Sequence, residues 1–208
     1  NGGFPTGDIQ VVSPNPELGS VVARFRGQAP GGGPPSKEPV MLMAHLDVVD
    51  ALRSDWEFEP FELREMDGYF YGRGTDDNKA GIAHIVTNFI RLRDEGYVPD
   101  RDLVAVFTAD EETSSDSIKY LVRERRDLVD SVFAINSDAG GGELFNGAPN
   151  IFNVQAAEKI YVTFRITATN PGGHSSRPRP DNAIYELTMA LARLSEFTFP
   201  VDVGQVAG

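Results

Sequence analysis

Short motifs rich in carboxylate and imidazole side chains recur along the chain, and four of them stand where a strand is predicted to end. They are His45-Leu46-Asp47, Asp76-Asp77-Asn78, Asp110-Glu111-Glu112 and Asn136-Ser137-Asp138. Carboxylates gathered at one edge of a sheet repel one another, and a divalent metal ion among them offsets that repulsion. Each motif alone is a weak signal, but the four together predict a metal site.

His45 and Asp47 follow a short apolar run and lie two positions apart, so their side chains share one face if the backbone is extended. A neutral imidazole is a good zinc ligand. Asp47 is expected to accept a hydrogen bond from the other His45 nitrogen or to orient the site, rather than to touch the metal. The alternative, for this pair alone, is a strand end whose polar side chains are simply solvated.

Two further motifs contain adjacent carboxylates. Asp76 and Asp77 precede a helical pattern, so each is a candidate for capping that helix or for bridging two metal ions, with Lys79 as a partner for the cluster. Glu111 and Glu112 point in different directions, which predicts one metal ligand and one free base. Crowding by like charges raises the pKa of a carboxyl, which suits a base working near neutral pH. A solvated acidic turn is the alternative for this pair.

Asp138 is a candidate terminal ligand, and a loop aspartate beside Gly140 is the alternative. His84 lies off the apolar stripe of its predicted helix and is expected to be exposed. Because the chain contains no cysteine, the candidate ligands are oxygen and imidazole nitrogen. That set favours zinc, with manganese or cobalt as alternatives.

The predicted elements bring these motifs together. Apolar runs at 40–44, 103–107 and 132–135 are typical of buried strands, and helical patterns follow at 82–90 and 115–126. This alternation predicts an α/β fold with a mostly parallel sheet and helices on both faces. Ligands of such sheets bind beyond the carboxyl ends of the strands, where the acidic motifs lie.

Other segments carry weaker signals. Residues 1–20 are rich in Gly, Pro and Asn and are predicted to be irregular, whereas 21–25 is a predicted strand. Asp67-Gly68, between two apolar runs, predicts a hairpin turn.

The character of the sequence changes near its last quarter. Side chains alternate over 160–166, which predicts a half-exposed strand, and apolar residues at helical spacing over 184–194 predict a helix. One strand and one helix cannot form a stable layer alone. We therefore predict an incomplete metal-binding domain at 1–154 and the first, truncated part of an α+β domain at 155–208.

The composition narrows the classes of partner. With 19 basic and 31 acidic residues the net charge is −12, which argues against nucleic acid or an anionic membrane as a partner. No apolar run reaches the roughly 18 residues that a membrane span needs. The lack of cysteine leaves the compartment open: cytoplasmic or, after removal of a leader, periplasmic or secreted.

The motifs, in this order, resemble those of one family. The matching stretches are MAHLDVV, YGRGTDDNKAG, TADEET, NSDAGG and NPGGHSSRP, and they cover most of the chain. They are similar to the dinuclear zinc aminoacylase/carboxypeptidase family, which includes glutamate carboxypeptidase, acetylornithine deacetylase, succinyl-diaminopimelate desuccinylase, carboxypeptidase S and carnosinase. The resemblance implies a catalytic domain, a lid and dimerisation domain, and hydrolysis of amide bonds in short peptides or N-acyl amino acids.

The resemblance also implies two bound Zn²⁺ ions, with Co²⁺ or Mn²⁺ as alternatives. The implied ligands are His45, Asp77, Glu112 and Asp138. Asp77, rather than Asp76, would bridge the two ions. A further histidine ligand is expected beyond residue 208, so the resemblance predicts a chain that is truncated at both ends.

Catalytic roles follow from the same resemblance. Glu111 would be the general base, and Asp47 would stand behind His45. His174, in the lid domain, would stabilise the oxyanion, often from a partner subunit, which predicts a homodimer through that domain. We expect His174 to lie too far from the metal cluster for direct contact in this chain. The alternative is a loop histidine beside Ser175.

Another class of function is a non-catalytic metal- or peptide-binding protein on the same scaffold. Glu111 favours an enzyme, because binding alone does not require a free base. A nucleotide-binding α/β protein is disfavoured, because Lys37 lacks the Gly-Lys-Ser/Thr context of a phosphate loop.

Overall fold

The structure, a computed structural model, describes residues 2–158 and 161–200. Contacts between residues divide the chain into two compact units, Asn1–Phe152 and Asn153–Gly208, which are described separately. The strands are β1 (Ile9–Val12), β2 (Ser20–Phe25), β3 (Val40–His45), β4 (Arg64–Met66), β5 (Tyr69–Tyr71), β6 (Leu103–Thr108), β7 (Phe133–Asn136), β8 (Gly141–Phe145) and β9 (Ala148–Asn153). The helices are α1 (Gly81–Asp94), α2 (Asp116–Glu124), α3 (Arg126–Val129) and α4 (Ala183–Ser195). Within the described ranges, no helix is both long and apolar enough to cross a membrane.

A five-stranded sheet, in the order β1-β2-β6-β3-β7, forms the centre of the first unit. β3 is parallel to both of its neighbours, so that His45 stands opposite Thr108 and Met43 stands opposite Asn136. β2 is antiparallel to β6, and β1 is antiparallel to β2. The predicted α/β fold is confirmed. The three parallel strands bring their carboxyl ends to one edge, and two antiparallel strands extend the sheet beyond them.

Helices cover both faces of this sheet, as predicted. In β6, Val104 and Val106 are buried in a cluster with Leu121 of α2. The alternate residues Ala105 and Phe107 are buried in a second cluster with side chains of α1. A strand buried on both faces is apolar throughout, which is why its sequence shows a continuous run. Full burial of a side chain such as Leu121 stabilises the fold by about 1.5–3 kcal/mol.

The prediction that residues 1–20 are irregular is wrong for β1. This strand pairs with β2, with Ile9 opposite Ala23 and Val12 opposite Ser20. Its four residues lie between segments rich in Gly and Pro, so the local pattern is too short to predict a strand. The neighbouring strand supplies the hydrogen bonds that stabilise it.

Two hairpins extend from the first unit. β4 and β5 are joined at Asp67 and Gly68, with φ of 53° and 80°, and the predicted hairpin is confirmed. β8 and β9 form a second two-stranded sheet, joined at Asn146 and Gly147 with φ of 51° and 77°. This second hairpin was not predicted, although Asn-Gly is a favourable sequence for such a turn.

The second unit contains α4, which confirms the predicted helix. Asn182 begins it, and its side-chain oxygen accepts a hydrogen bond from Ile184 N at 2.9 Å. The strand predicted over 160–166 is not present in residues 161–166, and Ile160 lies outside the described residues. Tyr161 and Phe164 are 90% and 82% exposed. Alternation marks a segment that suits a sheet, but a strand forms only where a partner accepts its hydrogen bonds.

Candidate metal centre

His45, the last residue of β3, is buried at the centre of the predicted site. Its Nε2 lies 2.7 Å from Asp77 Oδ1 and 3.4 Å from Asp138 Oδ1. Ligand atoms of these three residues all lie within 4.8 Å of one another. One imidazole nitrogen and two carboxylate oxygens at this spacing fit around a single divalent cation.

The hydrogen bond of His45 Nδ1 leaves Nε2 as the ring nitrogen that is available to a metal. Nδ1 lies 3.1 Å from the Asp47 carbonyl oxygen, which can only accept, so Nδ1 carries a hydrogen. Nε2 therefore faces the carboxylates of Asp77 and Asp138. Burial disfavours a charged imidazole, but the hydrogen bond with Asp77 and the charge of Asp138 together raise the pKa of His45. The cluster thus favours a positive charge at Nε2, which is the position that a metal would take.

Asp77 reaches His45 from an irregular, kinked segment, Thr75–Ala80. Asp77 (φ −103°, ψ 96°) and Asn78 (φ −128°, ψ 34°) depart from helical geometry, and the peptide bond between them is cis. Helix α1 begins only after Ala80, whose side chain cannot cap it. The structure therefore directs Asp77 to the site and away from the capping role that the sequence left open.

Asp138 follows β7 and is held by a chain of polar side chains. Asn78, which is buried, donates its Nδ2 to Asp138 Oδ1 at 3.3 Å. Ser137 Oγ lies 3.3 Å from Asn78 Oδ1 and 3.0 Å from the carbonyl oxygen of Met43. The sequence motifs gave neither Asn78 nor Ser137 a role in the metal site, because they mark the charged residues and not the amide and hydroxyl beside them.

Asp47 connects His45 to the glutamate pair. Its Oδ1 accepts a hydrogen bond from Glu111 N and its Oδ2 accepts one from Glu112 N, both at 3.0 Å. The same Oδ1 lies 3.4 Å from His45 Nδ1. One carboxylate therefore fixes the loop that follows β6 beside the residue that ends β3.

The two glutamates differ in their surroundings. Partial burial, followed by the negative charge of Asp138, raises the pKa of the Glu111 carboxyl. Glu111 and Asp138 line a cleft of about 190 Å³ together with His45. Within the described part of the chain, Glu112 is not part of the three-residue ligand group, and its main-chain N–H contacts the site by donating to Asp47.

Three more residues from the sequence predictions can be placed. Lys79 donates a hydrogen bond from Nζ to the carbonyl oxygen of Leu46, which is a main-chain contact and not a contact with a carboxylate. His84 is exposed on α1, as its place in the helical pattern predicts. His174 belongs to the second unit, where its Nδ1 lies 2.8 Å from Ser176 Oγ. The role of His174 and its distance from the metal cluster stay predictions.

The fold and the site geometry together describe an α/β protein in which one imidazole and two carboxylates could hold a metal ion. The sequence model of Peptidase family M20/M25/M40 matches residues 41–200, and the chain belongs to that family.

Several individual proteins are similar to most of this chain. The N-fatty-acyl-amino acid synthase/hydrolase PM20D1 of Homo sapiens is 33% identical over 180 residues, which are 83% of this chain and 35% of that protein. A probable succinyl-diaminopimelate desuccinylase of Staphylococcus aureus is 32% identical over 178 residues, 84% of this chain and 40% of that protein. The crystal structure of human carnosine dipeptidase 1 aligns with 60% of this chain and 27% of that chain, at 27% identity and a TM-score of 0.48. The chain spans about a third of the length of the curated relatives named PM20D1.

Proposed function

We propose that the protein carrying this chain is a metal-dependent hydrolase that cleaves amide bonds of short peptides or N-acyl amino acids. The observation that supports this most strongly is the convergence of His45, Asp77 and Asp138 within 4.8 Å, beside a glutamate whose pKa is raised. A carboxyl with a raised pKa next to a metal site is suited to moving a proton near neutral pH.

The proposed metals are two Zn²⁺ ions, with Co²⁺ or Mn²⁺ as alternatives. His45, Asp77 and Asp138 would supply ligands, Asp77 would bridge the ions, and Glu112 would add a further carboxylate. Zinc bound here would polarise a substrate carbonyl and make an attacking water more acidic.

The residues of the chain then have distinct tasks. Glu111 accepts a proton from the attacking water and returns it to the leaving amine. Asp47 accepts the N–H of Glu111 and so fixes the base relative to His45. His174 is proposed to donate a hydrogen bond to the oxyanion. In this proposal residues 1–154 belong to a catalytic domain, and 155–208 begin a lid and dimerisation domain through which the protein forms a homodimer.

N-acyl amino acids are the first substrates to test. The relatives are named N-fatty-acyl-amino acid synthase/hydrolase and succinyl-diaminopimelate desuccinylase, and both names describe an acyl group on an amino compound. Dipeptides are the second class to test.

The division of labour between the two glutamates provides the test. Glu111→Gln removes the base but leaves its size and the Asp47 contact, so we expect it to retain zinc and to lose about 10²–10⁴-fold in kcat. Glu112→Gln is expected to lower zinc occupancy. Zinc content is measured by inductively coupled plasma mass spectrometry, and hydrolysis is measured with both substrate classes. The two measurements together separate loss of metal from loss of the base.

The matched control is Glu124→Gln, which removes the same charge at the exposed end of α2. It should change neither quantity. Equal zinc loss in both site variants would contradict the separate roles. Zinc-loaded protein that hydrolyses neither substrate class would contradict the enzyme and leave a metal-binding protein.

A further inference from the structure

Asp110 is a buried carboxylate that the proposed mechanism does not use. It lies directly before Glu111, at the end of β6, and is 2% exposed. We infer that Asp110 is a positioning residue: it fixes the loop that carries Glu111 and Glu112 between β6 and α2. The inference rests on the proposed function, because that function gives the two glutamates their roles.

The side chain of Asp110 binds the start of α2. Oδ1 accepts a hydrogen bond from Ser117 N at 3.0 Å, and Oδ2 accepts one from Asp116 N at 2.7 Å. Ser114 Oγ donates to the same Oδ2 at 2.5 Å. The first N–H groups of a helix have no partner inside the helix, and a carboxylate there is favoured by both hydrogen bonding and the helix dipole. Asp110 therefore caps α2 from six residues upstream of its first residue.

The backbone of Asp110 closes the same loop. Its carbonyl oxygen accepts hydrogen bonds from Ser115 N at 2.8 Å and from Thr113 N at 3.4 Å. Beside it, Ala109 N donates to Ser117 Oγ at 3.2 Å. Both ends of the segment that contains the glutamates are consequently attached to one buried residue and its neighbour.

Asp47 holds this segment from the other side. Its two carboxylate oxygens accept the N–H groups of Glu111 and Glu112. Two carboxylates thus fix one short loop: Asp47 ties it to the end of β3, and Asp110 ties it to α2. The side chain of Glu111 can face the cleft that it shares with His45 only while the loop keeps this position.

The substitution Asp110→Asn keeps the size of the side chain but changes the hydrogen bonds that it can accept. A carboxylate accepts at both oxygens, whereas an amide has one acceptor and one donor group. The Ser114 hydroxyl and the N–H groups of Asp116 and Ser117 all donate to the Asp110 carboxylate, so Asp110→Asn must set an NH₂ group against at least one of them. A displacement of about 1 Å in a catalytic group can lower the rate by about 100-fold.

The test compares Asp110→Asn with Asp116→Asn in the protein that carries this chain. Asp116 is exposed at the same end of α2, and its carboxylate contacts Lys119 Nζ at 3.3 Å, so this control removes an equal charge and keeps the main-chain N–H that donates to Asp110. We expect Asp110→Asn to lower kcat by about 10- to 100-fold with little change in KM, and to weaken zinc binding in a calorimetric titration. Asp116→Asn is expected to match the wild type.

A lower kcat in Asp110→Asn could come from a less stable protein or from a displaced loop, and a control must separate the two. Val129→Ala removes part of a buried side chain of α3, which follows the far end of α2, and serves as a destabilised control. Below its unfolding transition it should retain the kcat of the wild type. If Asp110→Asn does not fold, Ser114→Ala removes one of the three donors and is expected to lower kcat in the same direction by a smaller factor.

Amide hydrogen exchange at Glu111 and Glu112 tests the inference without relying on hydrolysis or zinc. We expect faster exchange at both amides in Asp110→Asn and unchanged exchange in Asp116→Asn. Wild-type exchange and wild-type kcat in Asp110→Asn would overturn the inference, as would a kcat loss that Val129→Ala reproduces. If the wild type hydrolyses nothing, the proposed function fails, and the exchange rates still decide whether Asp110 fixes the loop.

Discussion

At the scale of single residues, the site depends on polar groups that do not touch a metal. Asn78 donates to Asp138 and is contacted in turn by Ser137. A carboxylate held by an amide donor keeps one orientation, which lowers the cost of assembling a ligand set. We therefore expect changes beside Asn78 to act on metal affinity, although they remove no ligand.

Gly81→Ala tests this expectation. A Cβ at position 81 would lie 2.1 Å from Ser137 Oγ and 2.2 Å from Asn78 Oδ1, so both side chains must move. We expect a loss of about 1–3 kcal/mol in the free energy of unfolding, as for other overpacked sites, together with weaker zinc binding. Denaturant unfolding and zinc titration measure the two effects.

The matched control is Gly7→Ala, because a Cβ at Gly7 meets nothing within 4 Å. Zinc affinity that stays at the wild-type value in Gly81→Ala would show that the Asn78 contact does not support Asp138.

The sequence predicts the charged residues of the site better than their supports. His45 and Asp138 are predictable because parallel strands place the residues after their ends at one edge of the sheet. Asn78, Ser137 and Asp110 are not, since the contacts that define their roles join segments far apart in the chain or depend on a loop conformation. A buried amide and an exposed amide have the same letter in a sequence.

At the scale of elements, the loop between β6 and α2 joins the core to the site. β6 is buried on both faces, and α2 packs on one of them through Leu121. The position of the loop is therefore set by a rigid strand on one side and a packed helix on the other. Asp110 couples the two, so its ionisation should contribute to the stability of the fold.

The pH dependence of stability follows from this coupling. Burial disfavours the charge on Asp110, but hydrogen bonds from Ser114, Ser117 and Asp116 prevail, and the pKa of Asp110 is lowered. The folded protein therefore binds fewer protons at this group than the unfolded chain. Its contribution is fully present above the unfolded pKa of about 3.9 and is lost as the pH falls through the lowered folded pKa.

We accordingly expect the difference in free energy of unfolding between the wild type and Asp110→Asn to be constant at about pH 5–7 and to shrink below about pH 4. Denaturant unfolding at a series of pH values measures it. Leu121→Ala removes no titratable group, so its difference from the wild type should not show this decrease. An Asp110→Asn difference of equal size at low and neutral pH would argue against an ionised cap.

Local sequence patterns do not predict strands that form only because a neighbouring strand pairs with them. The strands β3, β6 and β7 are predicted because each is a continuous apolar run, although β6 is largely buried, β3 is partly buried and β7 is exposed. β1 is missed, since four residues carry too little pattern, and residues 161–166 alternate without forming a strand. In both cases the decisive factor is whether another strand lies alongside, which the segment itself does not encode.

For the whole molecule, part of the negative net charge comes from the carboxylates of the site. The net charge is −12, and the four carboxylates Asp47, Asp77, Glu111 and Asp138 belong to the site around His45. Such a concentration of negative charge is unfavourable unless a cation is bound among the carboxylates. We therefore propose that this cluster binds zinc.

Diffraction at the zinc absorption edge, from crystals of the protein grown with zinc, tests that claim most directly. We expect an anomalous peak about 2.0–2.2 Å from His45 Nε2 and from carboxylate oxygens of Asp77 and Asp138. A second peak about 3.5–4 Å away, sharing Asp77, is expected for the two-metal site. Zinc bound only at other residues, with His45 still hydrogen-bonded to Asp77, would contradict zinc binding by this cluster.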